Sequence, residues 1–174
     1  MKLSLKVAVI GAIVLIADLL SKYLVQRYIP IMDQMSLEYP YNGIGIFRNF
    51  FGIEFSVIHA TNTGAAWGMF RNFQIPLLIL RMILVIGLLV YLMFWNSQKS
   101  WRIPLTLITV GAIGNIIDAF LYGHVIDMFN FVLWGYDYPV FNVADSAIFI
   151  GVFMIAISGL IGDFKEHKAI DSGR

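Results

Sequence analysis

The sequence predicts a membrane all-α bundle: four transmembrane helices with a small extracytoplasmic β-sheet at one end. Three observations predict it. Of the 174 residues 59% are apolar and only 13% charged, about half the charge of an ordinary soluble domain. The mean hydropathy is +0.79, more apolar surface than one soluble core of this size can bury. The apolar residues are also gathered into four runs, each near the roughly 20 residues that cross a hydrocarbon core. The same numbers exclude other classes. High hydrophobicity with low charge is the reverse of a disordered chain. Twelve basic residues nearly cancel eleven acidic ones, with no basic stripe, so nucleic acid is not an expected partner. The absence of cysteine removes disulfides, thiolate nucleophiles and Cys-ligated zinc.

The four spans are expected at about 5–25, 73–95, 103–122 and 140–161, forming a single membrane domain over 1–174. The first lacks a small-residue cleavage site after its apolar run, so it reads as a retained helix rather than a secretory signal. Orientation follows the basic flanks. Lys2, Lys6, Lys99, Arg102, Lys165, Lys168 and Arg174 lie on one side; Lys22, Arg27, Arg48 and Arg71 lie on the other. Both termini are therefore expected in the cytoplasm, with extracytoplasmic segments at 26–72 and 123–139. Within the longer segment the β-branched and aromatic run Phe50–Ile58 partly alternates and reads as a strand. Trp67, Trp95, Trp101 and Trp134 fit interfacial anchors.

The polar residues inside the spans carry the functional signal, because a charge at the bilayer centre costs at least about 2.5–3.5 kcal/mol on insertion scales. Asp18 and Lys22 are four apart and share a helix face. Arg81 lies on the second span. Asn115 and Asp118 lie on the third, Asn142 and Asp145 at the start of the fourth. At about 1.5 Å of rise per residue, Lys22, Asp18, Asp118 and Asp145 all fall near the outer end of the bundle. Asp127 and Asp145 flank the short outer segment, where a return loop can bring them together. Two readings stand for this pair. As close carboxylates they share one proton, and the ionised acid activates water while the protonated one donates to a scissile carbonyl. As structural residues each merely caps an element, and Asp145 suits a helix onset. Asp18–Lys22 can likewise be a neutralising pair, Asn115 an interhelical hydrogen bond, and Asn62-Thr63-Gly64 a tight turn. His124 has no partner at metal-ligand spacing, and no metal or cofactor is expected. A small ion or proton-coupled transporter would use the same buried charges, but would need polar residues through the full depth of the bundle; here the inner halves are almost wholly apolar.

Taken in order, these motifs resemble the bacterial lipoprotein signal peptidase (signal peptidase II) family. The stretches are Asp18-Leu19-Leu20-Ser21-Lys22, Asn62-Thr63-Gly64-Ala65-Ala66-Trp67, Gly111-Ala112-Ile113-Gly114-Asn115-Ile116-Ile117-Asp118, Val125-Ile126-Asp127-Met128-Phe129 and Phe141-Asn142-Val143-Ala144-Asp145-Ser146-Ala147-Ile148. The resemblance implies an inner-membrane aspartyl endopeptidase that removes the signal peptide from diacylglyceryl-modified prolipoproteins, cutting just before the lipidated cysteine. It places the catalytic pair on Asp127 and Asp145. The supporting residues it implies are Asp18, Lys22, Asn62, Asn115, Asp118 and Asn142; Gly64 joins them on the reading of the Asn62-Thr63-Gly64 turn as a backbone clamp beside the site. It also implies a β-cradle lying on the membrane, a short mobile outer helix, and inhibition by globomycin and myxovirescin. A monomer suffices, since one chain carries both acids. Two positions depart from the family pattern. Val110 replaces the first glycine of a pair whose second is Gly111. More consequentially, Ala119 stands where the family usually has an arginine after Asp118. Arg81 is the expected substitute, reaching Asp118 or the backbone near the site.

Overall fold

In the computed structural model residues 4–31, 43–64, 73–95 and 98–172 are described, with side chains through Leu160. The expectations for Lys2, Trp67, Arg71 and Arg174 lie outside the described residues, as do the side chains of Lys165 and Lys168. The short outer helix has no counterpart among the described elements. Four helices are long and apolar enough to cross a membrane. Helix α1 spans Leu5–Tyr28, capped by the Ser4 hydroxyl on the Val7 N–H. Helix α2 spans Gln74–Val90 and ends in a π turn, Tyr91–Trp95. A 3-10 turn, Lys99–Trp101, leads into α3, Arg102–Tyr122. Helix α4 runs Val143–Ser172.

Helix α3 is the centre of the bundle. Half of its most apolar window is buried, against 6% for that of α2. It touches α1, α2 and α4. The approach to α4 and α1 is close because glycines leave no side chain in the way. A Cβ on Gly111 would overlap the Ala144 carbonyl oxygen, and one on Gly114 would overlap the Asp18 carboxylate. That carboxylate is pinned at both oxygens, to the Ala144 N–H and to Lys22, so it cannot swing aside freely. Gly114→Ala is expected to lower stability by about 1–3 kcal/mol, the usual cost of overpacking. The unfolding midpoint in detergent checks this; an unchanged midpoint would mean that the helices part at no cost.

The sheet at one end is antiparallel, in the order β1-β2-β3-β4. Strand β1 is Gly43–Phe50, β2 Ile53–Asn62, β3 Val125–Leu133 and β4 Tyr136–Asp137. The run Phe50–Ile58, expected to be one strand, is broken at its start by a hairpin turn. Phe51 and Gly52 both take positive φ, 54° and 83°, the turn whose twist matches paired strands. Aromatic residues at the turn mask it in the sequence, leaving Gly52 as its only cue. Strands β3 and β4, not expected at all, are joined by a second turn with positive φ at Trp134 and Gly135. Gly123, at φ 75°, ends α3 in the left-handed conformation and turns the chain directly into β3.

Candidate active site

Two structural devices bring the polar residues together. The first is the onset of α4. After β4 the chain returns along β3, where Phe141 and Phe129 exchange backbone hydrogen bonds, so Asn142 arrives beside Asp127. Asn142 then caps α4. Its Oδ1 accepts from the Asp145 N–H at 2.8 Å, and the Asp145 Oδ2 accepts from the Asn142 N–H at 3.4 Å. This reciprocal pair is a capping box. The Ala144 N–H is satisfied from another helix: Asp18 Oδ1 accepts it at 2.8 Å. A helix that starts inside a bundle must find partners for its first N–H groups. Here a carboxylate on α1 supplies one and also meets the positive end of the helix dipole.

The second device is a bulge in β2. Val57 faces Phe129 and Ala60 faces Asp127, so two residues on β2 oppose one on β3. Beyond the bulge Asn62 lies on the same face as Asp127 and donates from Nδ2 to Asp127 Oδ2 at 3.0 Å. Its Oδ1 accepts from the Gly64 N–H at 2.9 Å, closing the turn expected at Asn62-Thr63-Gly64.

Asn142 joins the two acids. Its Nδ2 donates to Asp127 Oδ1 at 2.7 Å, while its backbone N–H serves Asp145. Asp145 Oδ1 also accepts from Asn115 Nδ2 at 2.8 Å. Both readings of Asp145 therefore hold together: it caps α4 and stands with Asp127. Behind the acids lies the ammonium of Lys22, 1% exposed. It forms ion pairs with Asp18 Oδ2 at 2.8 Å and Asp118 Oδ2 at 2.9 Å and donates to Asn115 Oδ1 at 2.9 Å. Asp118 in turn accepts the Ile126 N–H at 3.1 Å and so ties the end of α3 to β3. The expectation that Arg81 reaches Asp118 or nearby backbone resolves to the backbone. Its Nη2 donates to the Gly64 carbonyl at 2.8 Å, and Lys22 is the cation on Asp118.

Asp127 is 3% exposed. Burial, reinforced by the charge of Asp145, pushes its carboxyl up from 3.8 to about 7, against the pull of the Asn62 and Asn142 hydrogen bonds and Lys22. The folded protein thus holds a proton that the unfolded chain releases between about pH 4 and 7. This contribution to stability is complete below that window and is lost as pH rises through it. The unfolding midpoint is expected to fall from about pH 5 to about pH 8, with a smaller fall in Asp127→Asn; equal slopes in the two proteins would contradict the assignment.

Asp145, Asn62, Asn115 and Arg81 line a cavity of about 820 Å³ whose remaining lining is mostly apolar, among it Phe131, Leu133, Tyr138, Phe149 and Val152. Sequence reasoning missed these lining residues. The density of aromatics between 129 and 141 was the available signal.

Four helices long and apolar enough to cross a membrane, with a small antiparallel sheet at one end, define a membrane bundle that holds two buried acids bridged by one asparagine. Over residues 10–161 the chain matches the family described as Signal peptidase (SPase) II. It is 38% identical to the lipoprotein signal peptidase of Chlamydia trachomatis serovar D over 116 residues, 66% of this chain and 68% of that one. It is 32% identical to that of Staphylococcus aureus strain JH9 over 161 residues, 91% of this chain and 90% of that one. The fold is similar to a solved bacterial membrane enzyme at TM-score 0.75 and 29% identity, covering 92% of this chain and 90% of the other. The chain belongs to the signal peptidase II family and is a membrane aspartyl endopeptidase.

Proposed function

We propose that Asp127 and Asp145 are the catalytic pair of this peptidase. The enzyme removes signal peptides from prolipoproteins; the finer reading is that the substrate carries a diacylglyceryl group and is cut just before the lipidated cysteine. The observation that carries the reading is Asn142, which holds Asp127 with its side chain and Asp145 with its backbone. The pair shares one proton and titrates as a unit. Water between the acids gives its proton to the ionised carboxylate as its oxygen attacks the scissile carbonyl. The protonated carboxyl donates to the carbonyl oxygen. The tetrahedral diol then collapses, breaking the C–N bond as a proton passes to the leaving amine.

Asn62, Asn115 and Asn142 hold the acids with donors, so neither acid has to reorganise as charge develops. Around the bond the peptide must be extended, because helical hydrogen bonding hides the carbonyl. The mostly apolar lining of the 820 Å³ cavity suits the signal peptide's hydrophobic stretch. The acyl chains stay in lipid and position the cysteine. The protein sits in the bacterial inner membrane with both termini cytoplasmic and the acids near the outer leaflet, and works as a monomer. Globomycin and myxovirescin occupy the same cavity.

The test is incubation of the purified protein with a prolipoprotein in its diacylglyceryl-modified and unmodified forms. Cleavage immediately before the modified cysteine, with the unmodified form left intact, is expected. Equal cleavage of both would remove the lipid from the recognition; no cleavage of either would remove the assignment.

A further inference from the structure

A cation placed in a membrane span is costly, and Arg81, two turns into α2, makes a contact that explains its presence. Its Nη2 holds the Gly64 carbonyl at 2.8 Å. The Gly64 N–H holds Asn62 Oδ1 at 2.9 Å, and Asn62 Nδ2 holds Asp127 Oδ2 at 3.0 Å. Three hydrogen bonds thus run in series from a guanidinium on α2 to a carboxylate on β3. The middle bond fixes the sense of the last. Asn62 presents its NH₂ to Asp127 because its oxygen is occupied by Gly64. Strand β2 ends at Asn62, so the sheet ladder does not hold the turn that follows. Arg81 ties that turn to a helix.

A second cavity, of about 180 Å³, lies beside Arg81. It is lined by Asn62 and Thr63 of the turn and by Ala119 and His124. Ala119 faces this space with only a methyl group.

We propose that Arg81 is a positioning residue for Asp127, acting through Gly64 and Asn62, and that position 119, which lines the same smaller cavity as the turn, is a second place from which a guanidinium can hold it. The inference rests on the assignment of Asp127 to the catalytic pair. Arg81 touches neither acid through these bonds; its effect is on where Asn62 stands.

The experiment uses the full-length protein in detergent with a diacylglyceryl-modified prolipoprotein. It reads kcat, KM, the pH profile and the unfolding midpoint. Arg81→Leu is expected to lower kcat about 10- to 100-fold, the scale of a small misplacement of a catalytic group, with KM little changed. Its pH profile is expected to move to higher pH. The Asn62 hydrogen bond favours the ionised Asp127, and its loss favours the protonated form. The other groups facing Asp127 stay in place: Asp145 and Asn142 at the α4 onset, and Lys22 on α1. Arg81→Lys, which keeps a donor, recovers part of the rate. Arg81→Leu combined with Asn62→Ala is no slower than Asn62→Ala alone, and adding Ala119→Arg to Arg81→Leu restores the profile.

Multiplicative losses in the Arg81/Asn62 double variant, or an Arg81→Leu protein with normal kcat and pH profile, overturn the proposal. Failure of Ala119→Arg to restore the profile overturns its second half. If Arg81→Leu does not fold, the cycle is run with Arg81→Lys. Asp127→Asn is measured alongside. If it too cleaves normally, the catalytic pair itself is wrong; if it is inactive while Arg81→Leu is normal, only this inference fails.

Discussion

Asp127→Asn is expected to stop cleavage while leaving the protein folded. The substitution keeps the shape of the side chain and removes its charge. Above about pH 7, where Asp127 is ionised, removing its buried charge favours folding. Against that, both carboxylate oxygens accept NH₂ donors, from Asn62 and from Asn142, and an asparagine must turn its own NH₂ toward one of them. Neither neighbour can simply invert. Asn62 Oδ1 is held by Gly64, and Asn142 Oδ1 caps α4 through Asp145. The mismatch costs about 1–3 kcal/mol and the lost desolvation returns a comparable amount, so the unfolding midpoint should change little. The chemistry has no such compensation. An amide cannot exchange a proton with water or with the leaving amine, and the remaining acid cannot play both roles. Single-turnover cleavage is expected to fall by about three orders of magnitude or more, the scale seen when one member of a catalytic set is removed. Asp145→Asn should match it in rate, and should lose stability as well, because it surrenders one acceptor of the capping box. Normal cleavage by either variant would end the assignment.

The site was legible where it depends on local spacing and obscure where it depends on helix approach. Asp18 and Lys22 pair as their four-residue separation requires. Asn142 and Asp145, three apart at a helix onset, form the capping box that such a spacing suggests. The turn at Asn62-Thr63-Gly64 follows from its residue types. By contrast, nothing in the sequence says that Asp18 caps a helix 126 residues away. That contact exists because Gly111 and Gly114 let α3 close on its neighbours. Arg81 shows the same limit. Depth placed it near Asp118, but depth alone does not choose between two cations, and Lys22 is the one whose donors converge there. Ring-rich β1, β2 and β3 hide their turns, because an aromatic residue at positive φ is the reverse of what turn chemistry favours. Phe51 and Trp134 both sit in that conformation.

Lys22→Met is expected to be the most destabilising single change in the bundle, at about 3–5 kcal/mol, the cost of removing one partner from a buried ionic group. Methionine fills much of the same volume, so the loss is electrostatic rather than a cavity. Without the ammonium, the carboxylates of Asp18 and Asp118 are left in a site where Asp18 and Asp118 are each 1% exposed. Among the described residues one backbone donor remains on each, Ala144 for Asp18 and Ile126 for Asp118. Asn115 Oδ1 keeps the Asn142 amide, at 3.2 Å. The consequence reaches the acids, because the other end of Asn115 holds Asp145; a loosened Asn115 misplaces that carboxylate, so activity should drop even at temperatures where the variant is folded. A second substitution separates charge from packing. Asp118→Asn keeps an oxygen for the Ile126 N–H while removing one stranded charge. Lys22→Met with Asp118→Asn should therefore unfold at a higher temperature than Lys22→Met alone, although Asp118→Asn by itself is destabilising in the wild-type background. Thermal unfolding of the four proteins in detergent reads this as a coupling of opposite sign to the single effects. If the double variant is less stable than Lys22→Met, the ammonium is holding the helices by shape and not by charge, and the ionic account of the bundle's polar end fails.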